Sequence, residues 1–248
     1  MGLVADRFLF GTASLGSRTR YPAACLVLKA AHDLGFRLFD TAPIYGACRA
    51  QSIIEASRLG SDRPGVVGKF LCANYGLARD LAKMFLLGCG PSAYRNFLDV
   101  LLLHSSASRG HLTPAHIHSF IKRQIDRHQG LRFLSWLVHA PSERLTLELD
   151  RMGLFTVYGY SGCLNERILE ISPPVIQSDV DSILSFPLAS CRSKTILVNQ
   201  VYRYARANDI NVASLYERIL SLDPRVRIVV GATKPATVSR IVSLIDSI

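Results

Sequence analysis

The sequence predicts an α/β protein of the (β/α)₈ or TIM-barrel class. Three observations carry this: a chain of 248 residues that is 49% hydrophobic and 19% charged, short apolar runs alternating with longer helical stretches, and runs that end in Gly, Ser, Asp or His. Such a rhythm is that of βα units around a parallel sheet. Barrels of this kind routinely occupy this length as one domain, so a single domain over residues 1–248 is expected.

The candidate strands, in order, are RFLFG (7–11), FRLFD (36–40), GVVGK (65–69), LDVLLLH (98–104), LRFLSWLVH (131–139), LFTVYGY (154–160), PVIQSD (174–179), TILVNQV (195–201) and RVRIVVG (225–231). Nine candidates compete for eight places, so one is surplus. Between them, Tyr21-Pro22 opens a helix with proline in its first turn, and Gly35 stops it. Thr113-Pro114 opens another, in which Ile117, Phe120, Ile121 and Ile125 recur at helical spacing while Lys122, Arg123 and Arg127 fill polar positions. If 98–104 is not a barrel strand, residues 70–112 form a long third connection containing a candidate helix, LARDLAKMFLLG (77–88), that could roof the barrel mouth.

Lysines and arginines number 29 against 19 acidic residues, a formal charge of +10 that favours an anionic partner. The cations are scattered rather than gathered in a stripe, which argues against nucleic acid. Six cysteines show no CxxC pair and no zinc-finger spacing, so no metal site is expected. That usage suits a reducing cytoplasm. The opening MGLVADRFLF has an acid and a base where an export signal needs an apolar stretch, and no apolar run approaches the ~20 residues of a membrane span. The reading is a cytoplasmic protein with no membrane partner, a monomer or small homo-oligomer.

Asp40 closes the second strand and Tyr45 follows five positions later, at the barrel end where enzymes of this fold do their chemistry. Lys69 closes the third strand and reaches the same rim. A hydride delivered to a carbonyl carbon leaves an alkoxide, which needs a proton donor in place as charge develops. Tyr45 can donate if a nearby ammonium favours its phenolate, Lys69 supplies that ammonium, and Asp40 holds the lysine charged and oriented. A histidine at the end of the fourth strand would orient the substrate oxygen. Both His104 and His139 follow an apolar run.

FLFGTASLG, GFRLFDTAPIYG and VVGKF together resemble the opening third of the aldo-keto reductase superfamily. The resemblance implies that Asp40, Tyr45 and Lys69 act as lysine partner, proton donor and tyrosine activator. It also favours His139 over His104, because the segment from Leu112 through GYSG is similar to the family's arrangement around its histidine strand. Cofactor contacts are implied at Gly11, Thr12 and Asp40. Ser161 and Gln177 match the residues that hold the nicotinamide carboxamide, with Gly162 in place of the usual asparagine and Asp179 where many relatives have glutamate. VVGATKPATVSR resembles the phosphate-gripping segment, which implies Gly231, Thr233, Lys234 and Arg240 as cofactor ligands. Arg240-Ile241 stands where relatives often carry Glu-Asn.

The function implied is NADPH-dependent reduction of a small aldehyde or ketone, with NADH as the other cofactor to consider. A non-catalytic nicotinamide-binding or interaction module on the same barrel is the alternative, since folds outlive their chemistry. A third reading, a basic barrel acting on phosphorylated or nucleic-acid substrates, predicts salt-sensitive binding with no nicotinamide requirement. No GxGxxG follows the first strand, which disfavours a Rossmann domain. His116 and His118 lie two apart on a helix and face different directions, so they read as surface or packing residues.

Overall fold

The computed structural model describes residues 3–59, 63–72 and 89–248. Eight parallel strands close into a barrel in chain order: β1 Phe8–Gly11, β2 Leu38–Asp40, β3 Gly65–Cys72, β4 Arg132–His139, β5 Gly159–Ser161, β6 Val175–Asp179, β7 Thr195–Asn199 and β8 Val226–Val230. Pairing of β1 with β8, Phe10 opposite Val230, completes the ring. The (β/α)₈ class expected from the sequence is the class observed.

The surplus run 98–104 is helical. It lies within the helix Pro91–Ser108, which starts on Pro91 and buries Ala93, Asn96, Phe97, Asp99 and Leu103. A buried aspartate in the middle of the run explains why the strand reading fails there. Asp99 pairs with Arg123 and Arg127 and accepts from Gln124, all on the next helix, which packs this run against that helix rather than into the barrel. The long third connection therefore carries a helix of its own. The candidate helix 77–88 lies outside the described residues.

Inside the ring the strands follow one two-residue step. Leu9, Val67, Leu137 and Leu197 form a buried apolar cluster, with Leu38, Val175 and Val229 packed against it. Two residues further along those strands stand Gly11, Lys69, His139 and Asn199, then Asp40, Gln177 and Gly231. The apolar layer is thus a floor, and the next inward position of each strand carries the candidate site.

On β4 the simple alternation needs correcting. A plain two-residue alternation puts Phe133, Ser135, Leu137 and His139 on one face and Leu134, Trp136 and Val138 on the other, beneath helices. The pairing of β3 with β4 jumps from Val66–Phe133 to Val67–Ser135, a β-bulge at Leu134. Phe133 consequently stacks on Trp136, ring centroids 4.7 Å apart, and packs with the outer core, while Leu134 is half exposed. Leu137 and His139, beyond the bulge, keep their expected side.

Helix starts follow the local chemistry. The helix Tyr21–Asp33 has proline in its first turn and is followed by Gly35 at φ 104. The helix Pro114–Arg127 is capped by Thr113, whose hydroxyl accepts from the His116 amide while the His116 ring accepts from the Thr113 amide. That gives His116 a structural role, and His118 faces the ring of Tyr158 at 6.0 Å. This helix buries Ile117, Phe120 and Ile121, whereas Ile125 is exposed.

At the end of the barrel opposite the site, two arginines tie strands together. Arg7 donates to the carbonyls of Val226 and Leu220, binding the start of β1 to β8. Arg225 donates to the carbonyls of Leu188 and Ser193 and pairs with Asp223, binding β8 to the segment that leads into β7. Among the described residues, no helix is long and apolar enough to cross a membrane.

Candidate active site

Asp40, Tyr45 and Lys69 meet at the C-terminal rim. The Lys69 ammonium lies 2.9 and 3.0 Å from the two carboxylate oxygens of Asp40 and donates to the Tyr45 hydroxyl at 2.8 Å. Lys69 is 2% exposed and Asp40 is 4% exposed, so this ion pair is almost wholly removed from water. Burial works against the charge on Lys69, but the carboxylate beside it and the Tyr45 oxygen outweigh that penalty and hold its pKa above the ordinary lysine value.

Tyr45 owes its position to an unusual piece of backbone. The single turn Tyr45–Cys48 is left-handed over Gly46 (φ 60), Ala47 (φ 56) and Cys48 (φ 63). Only glycine fits at 46, because a side-chain carbon there would fall on the carbonyl oxygen of Leu15. The β1 loop, residues 12–20, presses on this turn through Leu15 and Gly16, and Arg49 donates to the Gly16 carbonyl.

His139 stands at the end of β4, its ring edge-on to Tyr45 with centroids 6.3 Å apart. Burial first, and then the charge of Lys69, push its pKa down to about 3. The imidazole is therefore neutral at physiological pH. Its Nδ1 lies 3.1 Å from Ser161 Oγ, which donates to Gln177 Oε1 at 3.1 Å, and Gln177 Nε2 donates to Asp40 Oδ1 at 3.3 Å. Six of the residues expected from the sequence, His139, Ser161, Gln177, Asp40, Lys69 and Tyr45, are thus joined in one hydrogen-bonded chain. His104, the alternative histidine, lies on the outer helix Pro91–Ser108.

A cleft of about 440 Å³ opens over Asp40, Tyr45, Lys69 and Gln177 and runs between the ends of β1, β7 and β8. Gly11, Gly231 and Thr233 line it as expected. Gly231 leaves room at the rim, since a side-chain carbon there would stand 3.1 Å from the Gly11 carbonyl. Thr12 does not reach the cleft; its buried hydroxyl donates to the Asp40 carbonyl and steadies the end of β2. Lys234 and Arg240 are exposed and outside the lining. The sequence reading passed over Ser14, Arg18, Asn199, Gln200 and Thr237, which do line it. Asn199 was findable, being two residues past the buried Leu197, and its Oδ1 is buried with no hydrogen-bond partner among the described residues.

A second hollow of about 680 Å³ lies beside the ends of β4 and β5, with Ala140, Glu143, Tyr160 and Gly162 in its wall. It contains none of the four converging residues. Asp179 is engaged elsewhere, capping the helix Val180–Ser185 through the Ser182 amide at 2.9 Å.

Residues 7–149 match the model of the aldo/keto reductase family. The chain belongs to that family of oxidoreductases. No curated protein matches the sequence. Among solved structures, the glycerol dehydrogenase of Gluconobacter oxydans is similar in fold, with a TM-score of 0.60 and 14% identity over 96% of this chain and 86% of that one. An aldo-keto reductase from Klebsiella pneumoniae in complex with NADPH gives 0.57 and 15% over 97% and 85%. The complex of such a reductase from the same organism with NADP and acetate gives 0.58 and 15% over 97% and 86%.

Proposed function

We propose that this protein reduces a small aldehyde or ketone to an alcohol, with NADPH as the hydride source and Tyr45 as the proton donor. The observation that carries the reading is the 2.8 Å contact from the Lys69 ammonium to the Tyr45 hydroxyl, backed by Asp40 against the same ammonium. A phenol loses its proton most readily where the phenolate it leaves is stabilised, and a buried cation in contact with that oxygen does so without reorganisation. Asp40 keeps the cation in place and charged. His139, neutral beside Tyr45, positions the substrate oxygen rather than contributing charge.

The residues present fit the cofactor. The nicotinamide, when bound, supplies the hydride. Ser161 and Gln177 offer a hydroxyl and an amide suited to its carboxamide, and the carboxamide group of Asn199 has a buried oxygen at the same cleft with no partner among the described residues. The phosphates suit the end where Gly231, Thr233, Thr237 and Arg18 line the cleft. Lys234 and Arg240, exposed and outside the cleft lining, add positive charge for the adenosine end of the cofactor. Support for the nicotinamide also comes from the NADPH and NADP complexes of the Klebsiella pneumoniae reductases, which share the fold.

Tyr45→Phe tests the assignment. Fluorescence titration should give unchanged NADPH binding, while turnover of an aldehyde panel falls by about 10²-fold or more, the scale of a positioned general acid. Full turnover in this variant refutes Tyr45 as donor. Cofactor binding in the parent protein with no turnover of any carbonyl would instead favour a non-catalytic binding module.

A further inference from the structure

Asp40 does more than hold Lys69, because it also begins a chain of buried polar groups in which every link has a direction. A carboxylate ion-paired with an ammonium has only lone pairs to offer, so the amide nitrogen of Gln177, not its oxygen, faces Asp40 Oδ1 at 3.3 Å. Gln177 Oε1 is thereby turned to Ser161 Oγ at 3.1 Å, where it needs a donor. Ser161 has one proton and gives it to Gln177. Only a lone pair of Ser161 is left for His139 Nδ1 at 3.1 Å, so the imidazole nitrogen must be the donor in that contact.

We infer that Asp40, acting through Gln177 and Ser161, fixes the proton of His139 on Nδ1 and leaves Nε2 as a bare acceptor. Reversing any link strands a polar atom where water does not reach, since Gln177 is fully buried and Ser161 is 1% exposed. Turning the amide over would set its oxygen against the carboxylate. Letting Ser161 donate to His139 would set Gln177 Oε1 against a hydroxyl lone pair. With its pKa down at about 3, the ring has a single proton to place at neutral pH, so fixing Nδ1–H settles both nitrogens. Gln177 and Ser161 are positioning residues in this role.

The consequence for the reaction rests on the proposed reductase reading. An acceptor Nε2 orients the hydroxyl of an alcohol; a carbonyl oxygen needs a donor there. A carboxamide that claims Ser161 and Gln177 breaks the chain at its middle and frees the imidazole to exchange one proton through solvent, from Nδ1 to Nε2, with no change of charge. Cofactor binding and the hydrogen-bonding sense of His139 are thereby coupled.

The test needs no turnover. Long-range ¹H–¹⁵N correlation spectra of the ¹⁵N-labelled, cofactor-free protein at neutral pH report the tautomer of each histidine, and His139→Gln assigns the signal among the seven. The expected result is neutral Nδ1–H in the parent protein and in Ser161→Thr, which keeps the hydroxyl, with a shift to the Nε2–H form in Ser161→Ala and Gln177→Leu. Thermal unfolding of each variant verifies that it is folded. Nε2–H or an imidazolium in the parent protein overturns the inference, as does Nδ1–H retained in folded Ser161→Ala. Adding NADP⁺ to the parent protein should move the signal toward Nε2–H. An Nδ1–H signal unmoved by saturating NADP⁺ would sink the coupling to the cofactor and leave the Asp40 relay standing.

Discussion

Lys69 and His139 are perturbed in opposite senses by one neighbourhood. Asp40 keeps the lysine charged, and that charge, added to burial, denies His139 a proton until pH falls to about 3. Unfolded, His139 titrates at its ordinary 6.5. Between those values the unfolded chain binds a proton that the folded chain refuses, so the contribution of this residue to stability is complete above about 6.5 and declines as pH falls toward about 3. His139→Gln should flatten the acid side of the Tm-versus-pH curve in that window. An unaltered curve would show that other groups govern acid unfolding. At this scale Asp40, Tyr45 and Lys69 were legible because a strand end, a fixed spacing and a neighbouring strand end all point to one rim. Thr12 was not, since the sequence does not tell a hydroxyl that turns to a buried carbonyl from one that faces a ligand. Arg18 was hidden for another reason: it is brought to the cleft by the shape of a loop, and no periodicity records that.

Elements are where local rules and tertiary demands disagree. The turn Tyr45–Cys48 is left-handed over three residues, only one of which is glycine, a conformation that costs about 1–2 kcal/mol for each L-residue held in it. Contacts with the β1 loop maintain it. Gly46→Ala should therefore lower stability by about 2 kcal/mol or more and reduce turnover together with it, because the clash with Leu15 displaces the turn that starts on Tyr45. Urea unfolding and steady-state kinetics on one preparation check both effects. An alanine variant with parental stability would mean that the β1 loop yields. Proline and threonine at helix starts made the helices from Tyr21 and Pro114 readable, as their chemistry is local. Residues 98–104 were ambiguous because four leucines and a valine suit either period, and only the partners of Asp99 decide. The bulge at Leu134 left no mark on the alternation at all, since it answers to the register of β3.

The whole molecule divides into a face that gathers the buried polar chain and its cleft and a face that holds the ring shut. Arg225 belongs to the second, reaching carbonyls at 2.9 and 3.1 Å and the Asp223 carboxylate at 2.6 Å. Hydrogen bonds to charged groups are worth about 1.5–3 kcal/mol each at most, and part of this set is wet. Arg225→Ala should cost about 2–3 kcal/mol in urea unfolding, on that same scale, with kcat/KM unchanged. A loss of kcat/KM at full stability would contradict the division. The overall architecture was the most legible level, because short apolar runs alternating with helices leave few alternatives, even with nine runs competing for eight places. The net charge of +10 suits an anionic cofactor without identifying it.

Closure has one more consequence. The chain from His139 to Tyr45 draws its members from β2, β3, β4, β5 and β6, and the cleft above it needs β1, β7 and β8 as well. No fragment, hairpin or partly wound intermediate can assemble it, so the hydrogen-bonded chain serves as a checksum on the fold. In a library of random variants, capture on an immobilised nicotinamide ligand would sort molecules by whether their ring has closed, and would do so without a carbonyl substrate ever being identified.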